Sequence, residues 1–202
     1  ITHNKTLGDF AYTVGFNMSK NWNKVTNLGA NDPIIESPWI KKVGYAIGTF
    51  YGYRSDGLLT QEDIDTGNYI TDGLVPQAGD IKYVDVNKDG AIDAFDQSPI
   101  GGTVDPEIVY GFGLNMKWKD LDFGVLFQGI GRSWNILSGN IIPASNKGTT
   151  YNIFTNYNDR WTVDNPSQDV FYPRLDYGTN SNNSQPSTWW LRNMSFMRLK
   201  NI

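Results

Sequence analysis

The sequence contains no cysteine and a single histidine among its 202 residues. Without cysteine the chain can form no disulfide, no thiolate metal site and no cysteine nucleophile. The one histidine, His3, lies in a polar stretch near the first residue, so a Ser-His-Asp triad would depend on that position alone. Glycine-rich phosphate-binding fingerprints are also absent. These absences predict that the protein is not an enzyme.

The sequence also lacks a surplus of basic residues and a long apolar run. Its 17 basic and 21 acidic residues give a net charge of -4 and form no basic stripe, which argues against a nucleic acid partner. Mean hydropathy is -0.44. No segment reaches the roughly 18 apolar residues of a membrane helix. Transmembrane β-strands stay possible, because their alternating pattern averages to a low hydropathy.

The clearest pattern that is present covers residues 108–118. Every second side chain of this segment is large and apolar: Ile108, Tyr110, Phe112, Leu114, Met116 and Trp118. Its length matches the roughly 9–11 residues with which a tilted strand crosses a bilayer. A short turn at Lys119 and Asp120 follows, and residues 121–130 then repeat the alternation. The sequence therefore predicts a long antiparallel hairpin.

A third alternating segment, residues 10–19, has one large and one small or polar side. The second side consists of Ala11, Thr13, Gly15, Asn17 and Ser19. A soluble β-sandwich usually carries Lys and Glu on its solvent face, whereas small polar residues suit the crowded lumen of a barrel. We therefore predict an all-β fold, an antiparallel transmembrane β-barrel segment. A β-sandwich with a neutral polar face is the alternative.

Two long polar segments, roughly 55–107 and 131–188, separate the alternating segments. Long loops that alternate with tight turns are typical of outer-membrane barrels, in which the long loops lie outside the cell. Residues 80–107 and 131–188 are accordingly predicted to be extracellular loops.

Shorter elements are predicted within and beside these loops. Thr60, followed by Gln-Glu-Asp, predicts an N-cap and a short helix. Residues 43–54 and 189–202 are further strand candidates. A second short helix is predicted from aromatic residues at near-helical spacing: Tyr151, Phe154, Tyr157 and Trp161.

Residues 85–96, which we call the acidic loop, have the spacing of a calcium-binding loop. Positions 1, 3, 5, 7, 9 and 12 of such a loop are occupied by Asp85, Asn87, Asp89, Ala91, Asp93 and Asp96. Gly90 occupies the sharp turn at position 6, and Ala91 can offer its backbone carbonyl. Calcium prefers six to eight oxygen ligands, so the loop predicts one structural calcium site. The alternative is a solvated acidic turn.

Several ordered motifs give the chain a resemblance to one family. They are Phe50-Tyr-Gly-Tyr-Arg-Ser-Asp-Gly57, Gly79 to Asp93, Tyr110-Gly-Phe112, Phe127-Gln-Gly129, Arg160-Trp-Thr-Val-Asp-Asn-Pro166 and Met197-Arg-Leu-Lys-Asn-Ile202. From about residue 10 onward the chain resembles the C-terminal barrel of the SusC/RagA family of TonB-dependent outer-membrane transporters. Lys88 departs from the glycine that the family often has in the acidic loop.

The resemblance implies a fragment, residues 1–202, of a longer chain with a 22-stranded barrel and an N-terminal plug. It implies a Gram-negative outer-membrane location in contact with membrane lipid, with a SusD-like lipoprotein lid as partner. It also implies TonB-driven import of an oligosaccharide or a peptide, through plug and TonB-contact parts that lie outside this sequence. The alternative is a soluble extracellular calcium-stabilised β-domain that binds a glycan or a protein. A complete small barrel is disfavoured.

Overall fold

The structure, a computed structural model, describes residues 1–67, 75–138, 154–176 and 180–202. Within these ranges the helical elements are one α-helix, α1 (Gln61–Thr66), and 3₁₀ turns at Ala94–Asp96 and Thr155–Asn158. The strands are β1 (Thr2–Leu7), β2 (Phe10–Lys20), β3 (Ile34–Glu36), β4 (Trp39–Lys41), β5 (Thr49–Gly52), β6 (Ser55–Leu58), β7 (Ile81–Tyr83), β8 (Ser98–Pro99), β9 (Ile108–Trp118), β10 (Leu121–Gly131), β11 (Trp134–Ile136), β12 (Leu191–Asn193) and β13 (Phe196–Asn201). The predicted all-β class is confirmed.

Five strands form one antiparallel sheet in the order β1-β2-β9-β10-β13. Strands β9 and β10 pair over their whole length, from Ile108 opposite Gly131 to Trp118 opposite Leu121. The hairpin predicted over residues 108–130, with its turn at Lys119 and Asp120, is therefore confirmed. Strand β2 pairs with the other side of β9 over eleven residue pairs, because its alternation has the same period and length.

The buried core lies outside this sheet, in the long loops. Eight buried side chains, which we call the loop core, pack together: Tyr53, Leu58, Ile81, Tyr83, Ile92, Trp161, Tyr172 and Trp190. They come from the predicted loops 55–107 and 131–188 and their borders, so these two loops pack on each other. The shorter strands join β3-β4-β5-β8, β6-β7 and β11-β12 around this core. No helix in the described part of the chain is long and apolar enough to cross a membrane.

Two local predictions need correction. Residues 43–54 do not form one strand, because Gly44 and Gly48 adopt positive φ angles of 96° and 78° and break the extended backbone before β5. The aromatic segment 151–161 contains the 3₁₀ turn Thr155–Asn158 rather than an α-helix within its described part. Its first aromatic residue, Tyr151, lies outside the described residues.

Two others stand. The N-cap prediction is confirmed, since the Thr60 side chain accepts a hydrogen bond from the Asp63 backbone N–H in a capping box at the start of α1. The last strand candidate is confirmed as two strands, β12 and β13.

Candidate functional site

One face of the five-stranded sheet is apolar across four strands. Cross-strand register places large side chains in rows, for example Phe16, Phe112 and Phe127 in one row and Val14, Leu114 and Val125 in the next. On β13, Leu199 lies opposite Phe127 and Met197 opposite Gly129, which extends the face. We call this the apolar face. It is formed by the residues that the alternation predicted.

The apolar face is open to its surroundings. Phe112 and Phe123 are 37% and 44% exposed, and Leu121 is 68% exposed. A sandwich would bury these side chains against a second sheet. Among the described residues nothing packs over them in that way, and the largest buried side chains belong to the loop segments instead. The β-sandwich alternative fails on this observation.

The opposite face of the sheet carries small and polar residues. Thr13, Asn115 and Gly124 form one row, and Asn17, Gly111 and Gln128 form another, which Arg198 extends on β13. We call this the polar face. A sheet with one apolar face and one face of small and polar residues matches the wall of a membrane barrel, in which lipid-facing and lumen-facing residues alternate.

Strand β1 departs from this pattern. His3 lies opposite Val14 and Lys5 opposite Tyr12, so both polar side chains belong to the apolar face. The His3 Nε2 atom is 3.3 Å from the Tyr12 hydroxyl. The apolar face is therefore continuous over β2, β9, β10 and β13 only.

The acidic loop is shaped by its own side chains. Asp85 accepts backbone hydrogen bonds from Lys88 and Gly90, Asn87 accepts one from Asp89, and Asp89 accepts one from Ala91. Asp93 caps the 3₁₀ turn by accepting the Phe95 N–H at 2.8 Å. These contacts wrap the backbone around the first, third and fifth positions of the predicted ligand set. They account for the sharp turn at Gly90, whose φ is 87°.

Asp96 closes the loop from inside. Its carboxylate is fully buried and accepts the N–H groups of Val86 at 2.7 Å, Asn87 at 3.3 Å and Asp93 at 2.9 Å. Burial raises the pKa of Asp96, but these backbone hydrogen bonds and a side-chain contact with Asp85 lower it more, so the net pKa lies below the ordinary value. Asp96 is thus held as a carboxylate.

The donor chemistry of the loop fits calcium, and its arrangement gives only partial support. Carboxylate and amide oxygens suit a hard cation, and each oxygen that accepts one N–H retains a further lone pair. Asp96 is buried, whereas Asn87, Asp89 and Asp93 are exposed. In the described ranges no group of three or more His, Cys, Asp or Glu side chains is arranged to hold a metal ion.

A buried polar network that the sequence did not reveal joins the two long loops. The fully buried Asp80 accepts hydrogen bonds from Arg174 Nε at 3.1 Å, Arg174 Nη2 at 3.2 Å and Asn183 Nδ2 at 2.8 Å. Asn183 in turn accepts the Ile81 N–H at 2.8 Å. The Tyr83 hydroxyl donates to the Asn182 carbonyl at 2.6 Å. The only sequence signal was the Asn-rich stretch 180–183, which reads as an ordinary polar loop.

Known proteins are similar to this chain over nearly all of its length. A TonB-dependent receptor of Formosa agariphila is 28% identical over all of this chain and 20% of its own length. A second receptor of that organism is 24% identical over the same shares. Two solved structures, of the RagAB peptide transporter and of the RagAB peptide importer in an open-open state, cover 98% of this chain at TM-scores of 0.64 and 0.63 and identities of 23% and 22%.

The chain spans about 20% of the length of these relatives and of the matched chains. No protein-family model matches it. The relatives are receptors and transporters by name, in agreement with the prediction that the protein is not an enzyme. These matches show that the chain has the fold of the matched RagAB chains and is similar over its whole length to TonB-dependent receptors, in agreement with the resemblance that the motifs carry.

Proposed function

We propose that the protein containing this segment imports a nutrient, an oligosaccharide or a peptide, across the outer membrane of a Gram-negative bacterium in a TonB-dependent way. The segment supplies wall strands of the barrel and long outer loops. The observation that carries this proposal is the register-aligned, exposed apolar face on a sheet whose fold matches a peptide importer over 98% of the chain.

The dimensions of the sheet support a membrane-spanning role. Strands β2, β9 and β10 each contain eleven residues, the length that a tilted strand needs to cross a bilayer. The Lys119 ammonium lies 5.7 Å from the Trp118 ring at the turn end, and the Lys20 ammonium lies 5.1 Å from the Trp22 ring beyond the other end. Aromatic residues at both ends of an apolar band suit the two membrane interfaces.

The partners follow from the same proposal. A SusD-like surface lipoprotein would cover the outer mouth, and the TonB complex would act through parts of the protein outside this segment. Strand β9 would run inward to the turn at Lys119, so the acidic loop and segment 131–188 would lie on the outer side. The matched structures are those of a peptide importer and a peptide transporter, and the proposed nutrient is an oligosaccharide or a peptide.

Cysteine scanning across β9 tests the membrane proposal. This segment has no cysteine of its own. Phe112→Cys, Gly113→Cys, Leu114→Cys and Asn115→Cys are introduced one at a time into a full-length receptor otherwise free of cysteine, in its membrane. We expect spin labels at 112 and 114 to respond to oxygen dissolved in lipid. Labels at 113 and 115 should respond to a water-soluble nickel complex. Equal responses at neighbouring positions would overturn the wall assignment.

We also propose that one calcium ion stabilises the acidic loop, with Asp85, Asn87, Asp89, Asp93 and Asp96 as side-chain ligands and Ala91 as a carbonyl ligand. The support is the spacing of these oxygens and the loop's own hydrogen bonds, which hold their side chains around one turn. The ion would fix the chain that leads from β7 to β9. It would be structural.

Asp85→Ala combined with Asp89→Ala tests this site. The wild-type receptor should gain thermal stability when calcium is added after chelation, and the double variant should lose that gain. Asp105→Ala, outside the loop, is the matched control and should keep it. A wild-type melting temperature that is independent of calcium would mean that the loop is an acidic turn held by its own hydrogen bonds.

A further inference from the structure

Arg192, on β12, is a half-buried cation whose Nη1 atom makes hydrogen bonds to backbone carbonyls. Its guanidinium lies over the Phe171 ring at 5.1 Å from the centroid. The Nη1 atom donates to the carbonyl oxygens of Trp189 at 2.6 Å and Leu191 at 3.1 Å. These acceptors are neutral. They fix the plane of the guanidinium and leave its Nε and Nη2 donors without an acceptor among the described residues.

No carboxylate in the described ranges forms an ion pair with Arg192. The residues that the structure does not describe contain a single acidic side chain, Asp72. The contrast with Arg174 is informative. Burial lowers the pKa of both arginines, but at Arg174 the carboxylates of Asp80 and Asp176 outweigh it and raise the pKa, whereas at Arg192 burial acts alone.

The unused edge of Arg192 has the geometry that this protein already uses for a carboxylate. Arg174 holds Asp80 through Nε and Nη2, one nitrogen to each carboxylate oxygen, at 3.1 and 3.2 Å. On Arg192 the same pair of nitrogens has no acceptor within the described ranges. Two parallel N–H groups match a carboxylate bidentately, and a partly desolvated charge makes that interaction stronger than it is in water.

Asn135 places a second polar side chain beside Arg192. Asn135 lies directly opposite it in the β11-β12 pair, so their side chains share one face. Asn135 is exposed, and its amide nitrogen has no acceptor among the described residues. Asn135 also lines a cavity of about 280 Å³ together with Trp39, Pro186 and Trp190, and Arg192 lies outside that lining.

We propose that Arg192 binds a carboxylate of the imported molecule through its Nε and Nη2 atoms, with the Asn135 amide as a second donor. This inference rests on the proposed import function and narrows its cargo to an acidic one. The carboxylate is the shared chemistry, and it can be carried by an acidic peptide side chain, by a peptide C-terminus or by a uronic acid unit of a glycan.

Binding to the purified full-length receptor tests this with pairs of probes that differ only in the carboxylate. The pairs are a Glu-containing tripeptide and its Gln counterpart, both with amidated C-termini; trialanine with a free and an amidated C-terminus; and trigalacturonate and its methyl ester. In the pair that carries the carboxylate as the imported molecule does, the acid form should bind at least about tenfold more tightly than the neutral form. Tenfold corresponds to one charge-assisted interaction. Arg192→Gln should abolish that ratio and leave the neutral probe unchanged.

Matched variants separate recognition from folding. Arg192→Lys keeps the charge but loses the pair of parallel N–H donors. It should therefore retain only part of the ratio between the affinities for the acid and neutral probes. Arg54→Gln removes the same charge at an exposed position and should change nothing. If no pair discriminates, or if Arg192→Gln weakens acid and neutral probes equally, the inference is wrong. Import of neutral cargo by the wild type would then leave the proposed function standing, and absence of any import would overturn the function itself.

Discussion

At the scale of single residues, Asp80 is the position on which the loop packing depends most. Its side chain is 1% exposed and faces Arg174, whose side chain is 18% exposed. Asp80→Ala removes the partner of a largely desolvated cation, so we expect a loss of about 3–5 kcal/mol in unfolding free energy. Asp176→Ala removes the other contact of Arg174, and with a 39% exposed carboxylate it should cost no more than about 1 kcal/mol. Denaturant melts of the two variants compare these values.

Asp63 gives the loops a pH dependence. The Lys82 ammonium, at 2.6 Å, together with hydrogen bonds from Thr60 lowers the pKa of Asp63 to about 2. The unfolded value is about 3.9, so the folded state binds fewer protons between these values. Its stabilising effect is complete above about pH 4 and is lost as the pH falls towards 2.

We therefore expect melting temperatures to fall from pH 5 to pH 2 more in the wild type than in Asp63→Asn. Asp65→Asn, in the same helix α1, is the control and should follow the wild type. Identical slopes for the wild type and Asp63→Asn would show that the Lys82 contact does not form in solution.

Residue spacing predicted the acidic loop but not the Asp80 network, for a physical reason. The acidic loop makes contacts between residues that are at most eleven positions apart, so its pattern is written in one short segment. Asp80 meets Asn180 and Asn183 across 100 and 103 positions. No local periodicity records such pairs. The same holds for the unused Nε and Nη2 donors of Arg192, since its guanidinium is positioned by Phe171 and by the carbonyls of Trp189 and Leu191.

At the scale of elements, the two faces of β9 should respond differently to a charge. Leu114→Arg places a cation on the apolar face near the middle of the strand, which should cost about 2–4 kcal/mol if the face contacts lipid. Asn115→Arg places the same charge on the polar face and should be tolerated. Folded, heat-modifiable receptor in outer-membrane fractions measures the difference. Similar losses for both variants would contradict the assignment of the faces.

Strand prediction worked where period and length agreed. The bounds of β2, β9 and β10 match the alternating segments to within a residue or two, because each strand is long and pairs along its whole length. Residues 43–54 are equally aromatic, yet the only strand within them is β5. Two glycines with positive φ interrupt the backbone there, and composition alone does not show which glycines will turn.

At the scale of the whole molecule, sequence patterns predicted the barrel wall and described the long segments only as polar loops. The structure shows that those loops share a core, and Trp190 is its largest fully buried member. Its Nε1 donates to the Asn183 carbonyl at 2.8 Å, and its ring lies 6.4 Å from Tyr172. The wall and the loop core are therefore separate sources of stability in one segment.

Trp190→Ala should destabilise the loop core by about 3–5 kcal/mol through a large cavity and a lost hydrogen bond. Hydrogen exchange should then accelerate at β6 and β7, while the amides of β9 and β10 keep their protection. Trp118→Ala, at an exposed position on the sheet, is the control and should leave β6 and β7 unchanged. Uniform acceleration across all strands would show that wall and loops unfold as one unit.

The pairing of distant loop segments also sets an order of events during folding. The N–H groups of Ser55, Leu58 and Ile81 find their acceptors on Thr188, Gln168 and Asn183, between 102 and 133 positions later. Until those residues have been synthesised, the backbone N–H groups of the earlier segment lack these acceptors, and its apolar side chains lack the later half of the loop core. Contacts this distant form slowly because a long loop must close first. The two long loops are thus completed late, and a chain that stalls before residue 168 leaves apolar side chains of the earlier loop uncovered.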